Sequence, residues 1–226
     1  FVTTSFEPTE ATFGMTSRVL RQNEDGTMEE IAVLPSVATA EDFLGGAHMT
    51  VLDGTVYVTV GVWQANLGDE VTIDNYAGVV AINEGEVELV ADLWAYELAN
   101  NPDETGNIEA HPYGITAGPD GLLYVADAAM NALLSVDPES GEVATVAVFD
   151  ALPGVFPSPF RNGELLTDPV PTGVIANEDG SFYVSLLSGA PFIPGSAKVV
   201  LVAEDGTVSD FAPGLTMLTD VTMGPD

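Results

Sequence analysis

ITAGPDGLLYV, residues 115–125, decides the fold. Asp120-Gly121 interrupts two apolar runs, and Tyr124 stands three places after the glycine. The same frame recurs as HMTVLDGTVYV at 48–58 and as VIANEDGSFYV at 174–184, while VTMGPD at 221–226 begins it and stops at the turn. Asp-Gly between alternating apolar runs predicts a β-hairpin, because glycine accepts the positive φ that a tight turn demands.

A second hairpin type alternates with the first: RVLRQNEDG (18–26), VVAINEG (79–85), LLSVDPESG (133–141) and VVLVAEDG (199–206). In each, an apolar residue follows the glycine by two places: Met28, Val87, Val143 and Val208. Two hairpins per unit make four antiparallel strands, the content of one propeller blade. The reading is therefore an all-β chain, a β-propeller of four-stranded antiparallel blades with about four blades covered. As one domain its units run roughly 1–46, 47–110, 111–169, 170–215 and 216–226.

Gly54, Gly121 and Gly180 stand 67 and 59 residues apart, more than the ~40–50 residues of compact propeller repeats. The surplus lies at 61–78, 92–112, 150–170 and 187–196, between hairpins or between blades and never in the Asp-Gly turns. Up-and-down connectivity then puts every insertion on one face, where binding residues collect. Leu93–Asn100, ended by Asn101-Pro102, predicts a helical turn or two packed on the blades.

Four Lys+Arg against 35 Asp+Glu leave a net charge of −31. Such a chain repels phosphate backbones and anionic headgroups, so neither nucleic acid nor membrane insertion is expected of it. Cation binding, with calcium as one candidate, or solubility at high salt, or both, is the expectation, and no cofactor is firmly implied. There is no cysteine, which removes disulfides and thiolate chemistry. Phe1-Val-Thr-Thr-Ser reads as a processed or truncated start, and no apolar run approaches the ~20 residues of a membrane helix.

HPYGITAGPDGLLYVAD (111–127) followed by NALLSVD (131–137) resembles an NHL-type propeller repeat. More narrowly, VADLWAYELANNPD (90–103), VPTG (170–173) and SGAPFIPG (188–195) resemble the ScyD/ScyE family, a likeness spanning roughly residues 14–226. The resemblance implies a six-bladed, exported propeller with no well-established reaction, so no catalytic residue is carried over. Both ends depart from the family's pattern: half of a first blade is missing, as is everything after the last Gly-Pro-Asp. Export would place the protein outside the cell or in the periplasm.

In this architecture the first strand of each blade lines the channel and starts on the insertion face. His48, His111, Tyr113, Thr172 and Asp220 lie at or near those starts, with Asp127 at the return of a second strand. His and carboxylate ligands there could hold a metal, against a structural reading in which these side chains serve ordinary hydrogen bonds. For Asp127 that means accepting N–H groups of the following loop. Asp69, Glu70 and Asp74 in one loop, and Asp103, Glu104 and Glu109 in another, could supply calcium oxygens. Neither loop has EF-hand or nonapeptide spacing, so solvated carboxylates are the expectation. Trp63, Tyr76, Trp94, Tyr96, Phe156, Phe160 and Phe192 concentrate in the insertions, to anchor them or to stack on a ligand.

Phosphate-loop, HExxH, GxSxG and Asn-glycosylation motifs are all missing. The leading expectation is an extracellular, non-enzymatic binding or structural propeller. It would take a small molecule, glycan or protein on the long-loop face and self-associate through unpaired strand edges. The alternative is a metal-dependent hydrolase or lactonase-like enzyme with its site at the channel mouth.

Overall fold

The computed structural model describes residues 12–38, 43–61 and 77–224. β1 (Thr12–Gln22), β2 (Met28–Ala38) and the short β3 (Phe43–Leu44) form a first antiparallel sheet. A four-stranded sheet follows from β4 (Gly46–Leu52), β5 (Thr55–Val60), β6 (Gly78–Asn83) and β7 (Glu86–Asp92). After α1 (Leu93–Asn100) come β8 (Pro112–Ala117), β9 (Leu123–Asp127), β10 (Ala132–Val136) and β11 (Val143–Val148) as a second such sheet. The two-stranded pair β12 (Leu152–Pro153) and β13 (Leu166–Thr167) lies in the next insertion. The third four-stranded sheet is β14 (Pro171–Ala176), β15 (Phe182–Leu186), β16 (Ala197–Val202) and β17 (Val208–Leu215). Every four-stranded sheet is ordered as in the chain, strand beside next strand.

The Asp-Gly motif makes two different turns. Asp53 and Gly54 both take positive φ, 49° and 85°, and connect β4 to β5 with two residues, the primed turn that matches strand twist. At 118–122 and 177–181 the loop is longer, with only the glycine at positive φ. There the aspartate is a cap: Asp120 accepts the Leu122 N–H at 3.2 Å and the Tyr124 hydroxyl at 2.7 Å. Asp179 accepts the Ser181 N–H at 3.0 Å.

Period-two alternation buries both faces of the central strands. In β9, Leu123 and Val125 enter the core shared with Val79, Ala91 and Leu93, whereas Tyr124 and Ala126 enter the core shared with Val174, Phe182 and Val200. β6 does the same, Val79 going one way and Val80 and Ile82 the other, against Val19, Leu34 and Val58. Three apolar cores thus lie between successive sheets, and face-to-face packing of this kind is what stacks blades. α1 is the expected helix, and its Leu93 is buried in the core between the first and second four-stranded sheets.

Residues 216–224 form no ladder, although the repeat predicts a first strand there.

Candidate functional site

The first strands of the three four-stranded sheets stand side by side, β4 next to β8 and β8 next to β14. Together with residues 220–223 they line a cavity of about 560 Å³, with His48, Thr50, Thr116, Asp220 and Thr222 among its walls. His48 Nδ1 lies 3.9 Å from Asp220 Oδ1. The Tyr113 ring packs against the imidazole with centroids 4.9 Å apart.

Thr59 sets this geometry. Its side chain is fully buried, accepts the His48 N–H at 3.1 Å and donates to the Tyr113 carbonyl at 2.6 Å. One hydroxyl therefore ties the strand bearing His48 to the strand bearing Tyr113. Sequence reasoning missed it. The signal was available in the repeat, where Thr59, Ala126 and Ser185 occupy equivalent places. Ser185 has half of that role in the third four-stranded sheet, accepting the Gly173 N–H at 2.8 Å, while Thr172 makes the onward bond to the Leu218 carbonyl.

Two glycines bring the strands close enough. A Cβ on Gly114 would sit 2.5 Å from the Thr172 carbonyl oxygen, and one on Gly173 would sit 2.6 Å from the Val221 nitrogen and 2.7 Å from Asp220 Oδ1. In the repeat frame Asp220 itself falls where Gly114 and Gly173 stand. A carboxylate thereby replaces a hydrogen at the channel wall.

The six candidates separate into two groups. His48 and Asp220 line the cavity, with Tyr113 against His48. His111, Asp127 and Thr172 are buried instead. Asp127 Oδ1 accepts the N–H groups of His111, Ala129 and Met130 at 2.9, 3.0 and 3.0 Å. Thr172 donates to the Leu218 carbonyl at 2.9 Å. Asp69, Glu70 and Asp74, like Trp63 and Tyr76, lie outside the described residues. Among the described residues no three His, Asp or Glu side chains converge as a metal cage would require.

Burial lowers the pKa of His48 below its ordinary 6.5, while Asp220 pulls it upward. The imidazole is therefore neutral near pH 7 and can take a proton. His111, with burial alone acting, is driven down to about 4.

Two expectations about the insertions change. Asp103 and Glu109 are not solvated: the Asp103 side chain is 4% exposed and Glu109 is 8% exposed. The helix and the loop after it fold onto the blades and enclose them, whereas Glu104 remains exposed. The aromatics divide as well. Trp94 and Tyr96 pack on the core, but Phe156, Phe160 and Phe192 are exposed.

A second cavity, about 600 Å³, opens among the tight turns, lined by Asp120, Glu178, Asp179, Glu204 and Asp205 beside Tyr124 and Phe182. Its three aspartates are already engaged in capping their own turns.

No protein-family model matches this sequence, and neither does any curated protein. Solved structures do. The chain is similar to virginiamycin B lyase from Staphylococcus aureus at 15% identity and a TM-score of 0.52, covering 87% of this chain and 48% of the lyase. It is also similar to a gluconolactonase from Xanthomonas campestris at 16% identity and a TM-score of 0.47, covering 92% and 72%. A structure of a nidogen/laminin complex aligns at 14% identity and a TM-score of 0.46, covering 91% and 63%. The chain spans about half the length of the lyase. At such identity the lyase likeness establishes the fold and leaves the reaction open. Joined to the sheets described above, it makes this chain a β-propeller of four-stranded antiparallel blades.

Proposed function

We propose that the channel face around His48 and Asp220 takes a small molecule and acts on it as a hydrolase or lyase. The observation that carries this reading is a partly buried imidazole 3.9 Å from a carboxylate in a cavity of about 560 Å³. With its Nδ1–H directed at Asp220, His48 presents Nε2 as a general base toward water or an acidic C–H. The imidazolium that forms is then stabilised by Asp220. Such pairs often tighten from open distances when substrate binds. Tyr113 fixes the ring plane.

A metal-dependent version finds no three-ligand cage among the described residues, so no step is assigned to a metal. Calcium association remains a proposal supported by the net charge of −31. Membership of the ScyD/ScyE family and a place outside the cell are proposals too, resting on the loop motifs quoted above.

A second reading, binding without turnover, draws on the exposed Phe156, Phe160 and Phe192. Aromatic faces of this kind suit a glycan or an apolar ligand.

Turnover of glucono-1,5-lactone and dihydrocoumarin, with and without calcium, separates the two. Hydrolysis that falls at least a hundredfold in kcat/KM in His48→Ala, with the fold intact by circular dichroism, supports the catalytic reading. Turnover untouched by that substitution, or silence toward both lactones combined with saturable glycan binding, overturns it.

A further inference from the structure

Four carboxylates are withdrawn from water where α1 runs into β8. Glu97 is 1% exposed, Asp127 is fully buried, and Glu109 and Asp103 are nearly so. Their hydrogen bonds leave much unanswered. Glu97 Oε1 accepts the Glu109 N–H at 3.2 Å, Glu109 Oε2 accepts from Asn107 at 3.4 Å, and Asp127 uses Oδ1 for its three N–H donors. Glu97 Oε2, Glu109 Oε1, Asp127 Oδ2 and Asn101 Oδ1 are buried and find no hydrogen-bond partner among the described residues.

Positive charge nearby is scarce. Arg161 from the 150–170 insertion holds Asp168 at 2.6 Å and reaches Asp103 only at 4.0 Å. Asp103 also accepts from Asn131 at 2.7 Å, Asp168 repels Glu109, and His111 is kept neutral. Among the described residues the Arg161 guanidinium thus reaches two of these carboxylates, Asp168 and Asp103. A buried charge without compensation is too costly to persist, and the group takes up a proton instead. Among the described residues these groups form no metal cage, and the proton is the compensating charge that their burial calls for.

We propose that a proton held at Glu97, within the cluster it forms with Asp103, Glu109 and Asp127, is a pH-sensitive latch. It fastens the segment 101–111 that leads into β8, the strand that carries Tyr113. The latch is independent of whatever chemistry the channel performs.

Burial pushes Glu97 up to about 7, with Asp103, Asp127 and Glu109 adding to the rise and the Glu109 N–H opposing it. Asp127 is raised to about 6, mainly by burial, and Glu109 is raised for the same reason. A closed form that binds the proton more tightly than an opened, solvated form is fully supported below the ordinary 4.5. That support fades as pH rises through about 7, by a factor of roughly a few hundred for Glu97.

Hydrogen–deuterium exchange of the whole chain between pH 5 and 8.5, corrected for intrinsic exchange, tests this. Protection of the Glu109 amide should fall at least tenfold in the wild type. In Glu97→Gln, which keeps an acceptor at Oε1 without the charge, it should stay level. Protection that is flat in the wild type, or equally pH-dependent in Glu97→Gln, overturns the latch. So does a pH dependence that 5 mM calcium abolishes, because a cation would then be doing the proton's work. If Glu97→Gln does not fold, Glu97→Met, which likewise has no titrating group, supplies the same comparison of pH dependence.

Discussion

Thr59 donates its hydroxyl hydrogen to the Tyr113 carbonyl oxygen at 2.6 Å, joining the second strand of one blade to the first strand of the next. The same oxygen accepts the His48 N–H at 3.1 Å. A fully buried side chain thus holds two of the groups that define the channel face. Replacing it with the near-isosteric valine leaves both partners unsatisfied in a dry place. Thr59→Val should lower unfolding free energy by about 1–3 kcal/mol in urea, and Thr59→Ser by less than about 1 kcal/mol. Equal losses in the two variants would show that the methyl, not the hydroxyl, matters here.

Gly114 and Gly173 are required by neighbouring backbone, not by their own φ. A Cβ at Gly114 would meet the Thr172 carbonyl at 2.5 Å, so Gly114→Ala should cost about 2–3 kcal/mol. Gly121 has open space around it and a φ of 83°, so Gly121→Ala should cost roughly 1 kcal/mol, from strain alone. Gly173→Ala carries an added consequence, since its Cβ would displace Asp220. Its turnover should fall further than its melting temperature implies, as thermal melts and kinetics together would reveal.

Asp127→Ala removes the acceptor of three buried N–H groups. The expected loss is about 3 kcal/mol or more, measured by chemical denaturation. Asp127→Asn keeps one acceptor oxygen and should lose less. Equal stability for the alanine and asparagine variants would contradict the capping role.

His111 and Glu97 oppose each other in pH. The folded state lowers His111 from 6.5 to about 4, so the unfolded chain binds the extra proton between those values. The stability His111 contributes is complete above about pH 6.5 and is lost as pH falls toward 4. Glu97, raised to about 7, loses its contribution in the other direction. His111→Gln should therefore shift the stability difference between pH 4.5 and 7.5 by about 2–3 kcal/mol, in favour of acid. An unchanged difference would mean that His111 titrates normally and is not held neutral by burial.

What could be read from the residues was what repeats and what is local. The two hairpin families, the α1 helix at 93–100 and the Asp127 cap all follow from short-range chemistry. The division of one Asp-Gly motif into two turn types was not legible, because the backbone conformation of Asp53 depends on how many residues bridge its strands. Glu97 and Glu109 are 12 residues apart with no periodic relation. Their burial is decided by the way the 101–111 loop closes over α1, which no local pattern announces. His48 and Asp220 were both placed near strand starts, but their approach depends on successive first strands lining one channel.

A neutral imidazole at the channel face, its proton affinity held up by Asp220, is what the functional reading depends on. With two histidines in the chain, a carbon-13 NMR titration of the imidazole Cε1 signals reads it directly. His48 should titrate below its ordinary 6.5 and lower still in Asp220→Asn, while His111 stays neutral until about pH 4. A His48 that titrates at or above 6.5, unmoved by the loss of Asp220, would contradict the account.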